Sequence, residues 1–194
     1  MADVGRLFQD MAMNTLYDPQ DKEKFPTPIK KTPAEFFSAY SGAAQAIEVL
    51  SASKGFRIPA SFTLAQSALE SAWDGSILSS FAKNYFGMKA DSGWAGDTFE
   101  ISTREVIHGI SAFVIAKFRA YSDYEHCMQD HALFLTNDWN PVRYKAAFET
   151  DTPEAFAQAI AAGGYATDPT YAQKIIEIMD AHNLKFYDQE RSVS

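Results

Sequence analysis

From Thr32 onward, apolar residues recur at helical spacing. Phe36, Phe37, Tyr40, Ala43, Ala44 and Ile47 fall along one helix that Thr32 or Pro33 can start. It ends near Lys54-Gly55, where glycine can supply the left-handed closing residue. A second run opens at Pro59-Ala60-Ser61 and carries to about Asp74-Gly75, with proline at the first turn and glycine at the end. Between positions 92 and 120 the pattern changes: β-branched and aromatic residues surround turn-forming glycines. That predicts two or three short antiparallel strands, with a hairpin turn near His108-Gly109. Helical spacing resumes over Tyr124 to Thr136, Thr152 to Ala162 and Tyr171 to His182. The expected architecture is α+β and mostly helical, with one small antiparallel β-hairpin lobe inserted after the second helix.

The first 35 residues read differently. Val4, Leu7, Phe8 and Met11 fit a short amphipathic helix, and Pro26, Pro28 and Pro33 among lysines favour an extended connector. The chain therefore divides into an arm over 1–33, a catalytic domain over 34–187 and a tail over 188–194. At 194 residues, 46% hydrophobic and 22% charged, it has the composition of an ordinary globular domain. Fifteen Phe, nine Tyr and three Trp can fill a core and still line a groove. A net charge of -8 argues against a nucleic-acid partner and against docking to an anionic membrane. No apolar run is long enough to span a bilayer, and the N-terminus lacks a basic region followed by an apolar stretch. The single cysteine, Cys127, allows no internal disulfide and reads as a small buried hydrophobe.

The second helix carries the candidate chemistry. Ala65, Ala68, Leu69, Ala72 and Trp73 form an apolar stripe, and Glu70 sits at its edge, with Gln66 one turn before and Asp74 one turn after. Partial desolvation raises a carboxyl pKa, and the charge of Asp74 could add to the effect. A carboxylic acid kept protonated near neutral pH can protonate the leaving oxygen of a glycoside. Metal, nucleophile and phosphate-loop motifs are absent: His108, His126, His131 and His182 form no ligand set. No metal and no cofactor is expected.

ALESAW at 68–73, NYFGMKA at 84–90, then GWAG, FRAYSD and GYATDPTYA resemble, in order and spacing, the glucosaminidase family of bacterial peptidoglycan hydrolases, glycoside hydrolase family 73. That family includes autolysins and the enzyme domain of the flagellar rod-associated hydrolase. The likeness runs from about Ala34 to His182. It implies a lysozyme-like fold with a groove between a helical lobe and the β-lobe. It implies Glu70 as catalytic acid and a second carboxylate in the β-lobe, for which Glu105 is the better match and Glu100 the runner-up. Their odd separation puts them on opposite faces of a strand. Tyr165 matches the third residue associated with the family's active site. Gly163 and Gly164 before it suggest an irregular backbone that aims the phenol. Gln66, Asn84, Tyr85, Phe86 and Trp94 are the expected substrate-binding positions, with Phe86 closer to a core residue than a contact. One departure stands out: the family usually has glycine where this chain has Asp74.

The resemblance implies an endo-β-N-acetylglucosaminidase cutting β-1,4 bonds in cell-wall glycan strands. Two other readings stay open. One is a lysozyme-like lytic transglycosylase or muramidase, and the other a non-catalytic wall-binding module. The expected partners are peptidoglycan strands and a delivery or immunity protein, with the chain itself monomeric. Lacking a recognisable signal, it is expected to be made in the cytoplasm and to reach the periplasm or wall by a secretion machine or by lysis.

Overall fold

A computed structural model describes residues 24–107, 110–137 and 143–189, with the side chains at 104–107, 110–111 and 137 outside that description. The amphipathic helix expected around Val4 to Met11 and the turn at His108-Gly109 lie outside the described residues. Helix α1 spans Pro33–Ser53. Its start is fixed by a capping box: Thr32 Oγ1 accepts the Glu35 N–H, and the Glu35 carboxylate accepts the Thr32 N–H at 2.9 Å. Helix α2, Ala60–Glu70, follows, and then the short α3, Ile77–Ala82, which the sequence pattern did not anticipate. Strands β1, Thr98–Ile107, and β2, Ile110–Arg119, pair antiparallel with Glu100 opposite Lys117 and Glu105 opposite Ala112. These are two ten-residue strands rather than several short ones. Helices α4, Tyr124–Asn137, α5, Pro153–Ala162, and α6, Tyr171–Ala181, complete the helical lobe.

Helix α2 is the hub. It packs against α1, α5, α6 and the closing 3-10 turn at Leu184–Tyr187. Every residue from Ala60 to Ala68 is buried, and so is Glu70. The one-sided stripe expected from the sequence is therefore an underestimate: a helix buried all round belongs to the core. Its N-terminus has no side-chain cap of its own. Two distant carboxylates supply what is missing. Glu48 of α1 accepts the Ala60 N–H at 3.3 Å, and Asp188 accepts the Ser61 N–H at 2.7 Å and the Ser61 hydroxyl at 2.8 Å. Negative charge at a helix start is favourable electrostatically as well as by hydrogen bonding.

The far end of α2 corrects the expected boundary. The helix stops at Glu70 rather than near Asp74-Gly75, because Ala72, Trp73 and Asp74 all have positive φ (52°, 63° and 64°). Left-handed backbone at non-glycine residues costs about 1–3 kcal/mol each and persists only where surroundings enforce it. Here the Trp73 N–H reaches Ala68 O, the Asp74 N–H reaches Ser71 Oγ, and the Lys31 N–H bonds Trp73 O. The Trp73 ring packs edge-on against Phe36, Phe37 and His182. Glycine is the residue least strained in such a conformation, and aspartate is among the more tolerant alternatives.

The last part of the arm is a strap. Residues 26–32 run without regular structure, yet the Phe25 ring packs at a tilt against Phe81 of α3 and Phe99 of β1, with ring centres 5.1 and 5.3 Å away. A second small core of Ile77, Leu78, Ile101, Ala116 and Phe118 joins the β-lobe to α3, with Phe25 and Phe99 against it.

Asp188→Ala removes one of the two caps on α2. We expect a loss of about 1 kcal/mol, read as a fall in Tm of about 2–4 °C by calorimetry. An unchanged Tm would show that Glu48 alone suffices.

Candidate active site

Glu70 closes helix α2 with 5% of its surface exposed. Burial raises its carboxyl pKa, a hydrogen bond from Tyr171 opposes that rise, and the result is about 7. The Tyr171 hydroxyl donates to Oε1 at 2.8 Å, and the Gln66 amide donates to the Tyr171 oxygen at 2.8 Å. Oε2 of Glu70 accepts no hydrogen bond among the described residues. Asp74 does not supply the extra charge expected of it. Its carboxylate is engaged by the Lys31 ammonium and the Tyr40 hydroxyl, pointing into the strap and α1.

The segment GYATDPTYA delivers one phenol, Tyr171, to this carboxyl and stacks a second, Tyr165, on the first. A Cβ on Gly163 would meet Arg143 O and Tyr144 Cδ1 at 2.8 Å, and Gly164 has φ +77°, so the approach depends on both glycines. Arg143 clamps the turn, its Nε donating to Gly163 O at 2.8 Å and its Nη2 to Gly164 O. Asp168 then starts α6, accepting the Thr170 N–H and the Lys174 ammonium, which sets Tyr171 at the first helical position. The Tyr165 and Tyr171 rings stack with centres 5.6 Å apart at 19°. The Tyr165 hydroxyl lies 3.2 Å from His131 Nε2, and the His131 ring stacks on Phe86 at 3.8 Å. Burial lowers the His131 pKa to about 3, so this imidazole is neutral at physiological pH. Burial, then the nearby Glu70, pushes the Tyr165 hydroxyl well above its usual range.

On the β-lobe, Glu100 is exposed and paired with Lys117 across the ladder at 3.0 Å. Position 105 has the strand parity of Ile101 and Thr103, both of which are buried; the Glu105 side chain lies outside the described residues. Among the described residues no group of three or more His, Cys, Asp or Glu side chains is arranged to hold a metal. No described helix is long and apolar enough to cross a membrane.

Residues 29–184 match the model of the Glucosaminidase family, described as mannosyl-glycoprotein endo-beta-N-acetylglucosaminidase. The chain belongs to the glucosaminidase family. It is 37% identical over 156 residues to the exo-glucosaminidase LytG of Bacillus subtilis, covering 79% of this chain and 53% of LytG. It is 41% identical over 132 residues to the peptidoglycan hydrolase FlgJ of Salmonella typhimurium, covering 66% of this chain and 41% of FlgJ. It thus spans about half the length or less of these curated relatives. The catalytic domain of the autolysin Auto from Listeria monocytogenes has the same fold, with a TM-score of 0.72 at 26% identity, covering 87% of this chain and 94% of that one. The expected lysozyme-like architecture, mostly helical with a two-stranded antiparallel sheet, is the one observed.

Several positions expected to touch substrate lie inside this glucosaminidase domain. Gln66 is fully buried and holds Tyr171. Asn84 is buried, its amide donating to Met88 O and Arg119 O and its oxygen accepting the Met88 N–H. Tyr85 is buried and bonded to the Tyr40 hydroxyl at 2.8 Å. Phe86 is fully buried behind His131. Gln66 and Phe86 support the site through Tyr171 and His131, and all four are buried rather than open to a sugar in this conformation. Trp94 is half-buried, its indole N–H bonded to Asp97 O and one ring face covered by the Arg119 guanidinium at 4.7 Å. Cys127 is buried as the sequence suggested, accepting the Tyr85 N–H, and burial pushes its thiol upward. Two residues that sequence reasoning passed over, Tyr171 and His131, are central to the site. Tyr171 stood within a quoted motif, six positions after Tyr165. Nothing in the spacing marked His131, one of four scattered histidines.

A carboxyl that titrates near 7 is protonated below that pH and ionised above it. Any reaction using Glu70 as acid should therefore lose rate as pH rises through about 7. A pH–kcat profile flat from 6 to 8 would exclude that role. Glu105→Gln should cost activity heavily, whereas Glu100→Gln should change it less than about twofold, since an exposed ion pair contributes little. Turnover assays on the two variants check this, and the reverse ranking would reassign the second carboxylate.

Proposed function

We propose that this glucosaminidase domain hydrolyses the β-1,4 bond that follows N-acetylglucosamine in the glycan strands of peptidoglycan. The observation that carries the reading is Glu70: a carboxyl at the end of a buried helix, held near pKa 7 with no cation beside it among the described residues. Protonated, it can give its proton to the leaving oxygen. Ionised afterwards, it can take one back from water. Glu105 is assigned the second role, activating that water or stabilising the oxocarbenium charge. Tyr165 is assigned to orient the water or the substrate's acetamido group from the pocket it shares with His131. The printed activities of LytG and FlgJ, an exo-glucosaminidase and a peptidoglycan hydrolase, support the substrate class. Cleavage inside strands, action on the far side of the inner membrane, a monomeric enzyme and a partner that delivers it or blocks its groove belong to the same proposal.

Glu70→Gln keeps size and most hydrogen bonding but cannot donate the proton. We expect turnover of purified wall to fall at least about 10²-fold with Tm preserved. Borohydride reduction of the wild-type digest followed by mass spectrometry then identifies the bond. Glucosaminitol ends on multi-disaccharide fragments are the expected result. Muramitol or anhydromuramyl ends would instead assign a muramidase or a transglycosylase, and an inactive wild-type chain that still binds wall would make it a binding module.

A further inference from the structure

A carboxylic acid has two oxygens and one proton, and a general acid works only if the proton is on the oxygen that meets the leaving group. The surroundings of Glu70 distinguish its two oxygens. Oε1 accepts the Tyr171 hydroxyl, whereas Oε2 has no partner among the described residues. Tyr171 is itself constrained. Its oxygen accepts the Gln66 Nε2 hydrogen, so its one hydrogen has no acceptor in Gln66 and goes to Glu70. The chain of donors runs one way, from Gln66 through Tyr171 to Oε1.

Gln66 shows what this arrangement costs. Its Oε1 is buried without a hydrogen-bond partner, one of two such side-chain atoms among the described residues. An unsatisfied buried carbonyl is unfavourable. Turning the amide around would satisfy that oxygen with the Tyr171 hydrogen, but it would take the hydrogen away from Glu70. The strain of the lone oxygen is retained and the direction of the chain is kept with it.

We propose that Tyr171, held by Gln66, is a positioning residue that keeps the acidic proton of Glu70 on Oε2. This rests on Glu70 being the acid of the glycosidase reaction, and it adds which oxygen acts and what fixes the choice. With Oε1 occupied by an incoming hydrogen, a proton there would oppose the Tyr171 O–H, so the neutral acid carries it on the other oxygen. The same bond stabilises the carboxylate after transfer, which keeps the acid strong enough to give up its proton.

The titratable groups around Glu70 do not complicate the test. Tyr171 of α6 and Tyr165 before it are phenols that burial pushes well above the usual range, and His131 of α4 behind Tyr165 is neutral. Asp74 and Lys31 pair with each other beyond the helix end. Glu105 is removed as a variable by repeating the measurement in Glu105→Gln.

The test is Tyr171→Phe, which keeps the ring against Tyr165 and deletes only the hydroxyl. The Glu70 carboxyl is followed by carbon-13 NMR across a pH titration. Its midpoint should move up by about one pH unit, because a hydrogen bond to the charged form has been removed. The falling limb of the pH–kcat profile should move with it, and kcat below that limb should drop about tenfold with KM nearly unchanged. Gln66→Met, which frees the Tyr171 hydrogen to turn, should move the midpoint the same way by less, and it serves if Tyr171→Phe fails to fold. An unmoved midpoint in a folded variant overturns the proposal and leaves Tyr171 as packing. The NMR readout needs no turnover, so it is independent of the glycosidase reading, which falls instead if Glu70→Gln remains active.

Discussion

Helix α2 has no side turned to water, so each polar side chain it carries must be answered from inside the protein. The consequences can be followed residue by residue. Ser61 brings the chain back at Asp188, 127 positions later. Thr63 bonds the carbonyl one turn behind, at Pro59. Ser67 meets the Tyr124 hydroxyl of α4. Gln66 and Glu70 share Tyr171 of α6. The segment at Asp188, α4 and α6 are thus tied to one helix by its polar side chains, and the apolar core of the helical lobe closes around those bonds. The position of Tyr171 is a by-product of satisfying α2.

The β-lobe is attached by different means. Arg119 at the end of β2 pairs with Asp91 and with Asp130 of α4, and the Tyr121 hydroxyl bonds the same Asp130 oxygen. On the opposite side Phe25 bridges α3 and β1, and Lys31 holds the left-handed turn that follows Glu70. The strap therefore touches both the β-lobe and the backbone three residues beyond Glu70. A division at residue 33 between arm and domain, natural from the proline spacing, cuts through these contacts.

Much of this was legible in the chain. Helix α1 announced itself by Thr32 or Pro33 at its start and by the apolar spacing after it, because both are local signals; the Glu35 half of the capping box came from the structure. The hairpin was equally local. What was hidden is non-local or depends on backbone sign. Nothing near Ala60 says that Asp188 caps it, and nothing near Asp74 says that three successive residues take positive φ, although the family's glycine there was the one hint. The candidate site divides along the same line. Glu70 and Tyr165 could be quoted from motifs. That Asn84 and Tyr85 belong to the interior could not, since an amide or phenol looks the same in sequence whether it meets a sugar or a backbone carbonyl. Tyr171 and Tyr165 share a motif but differ in partner, and only the folded turn at 163–164 separates the phenol beside the acid from the phenol beside His131.

Among the described residues three carboxylates are buried, Glu48, Glu70 and Asp74, and Asp188 is half-buried; Glu70 has the fewest hydrogen-bond donors around it. Glu48 accepts from Arg57, the Ala60 N–H and the Gln189 N–H. Asp188 accepts from the N–H and hydroxyl of Ser61. Asp74 faces a lysine and a tyrosine. Burial pushes the Glu48 and Asp188 carboxyls upward as well, while the donors around each pull back. Among the described residues Glu70 has a single phenol and no cation or backbone N–H as a partner. One neutral donor is enough to orient a carboxyl and too little to compensate its charge in a dry site. A second donor, or a lysine in place of Tyr171, would favour the charged form of Glu70 and pull its pKa down. Its proton stays available because its surroundings are poor, and the helix that holds it can tolerate that poverty because its other end is capped twice.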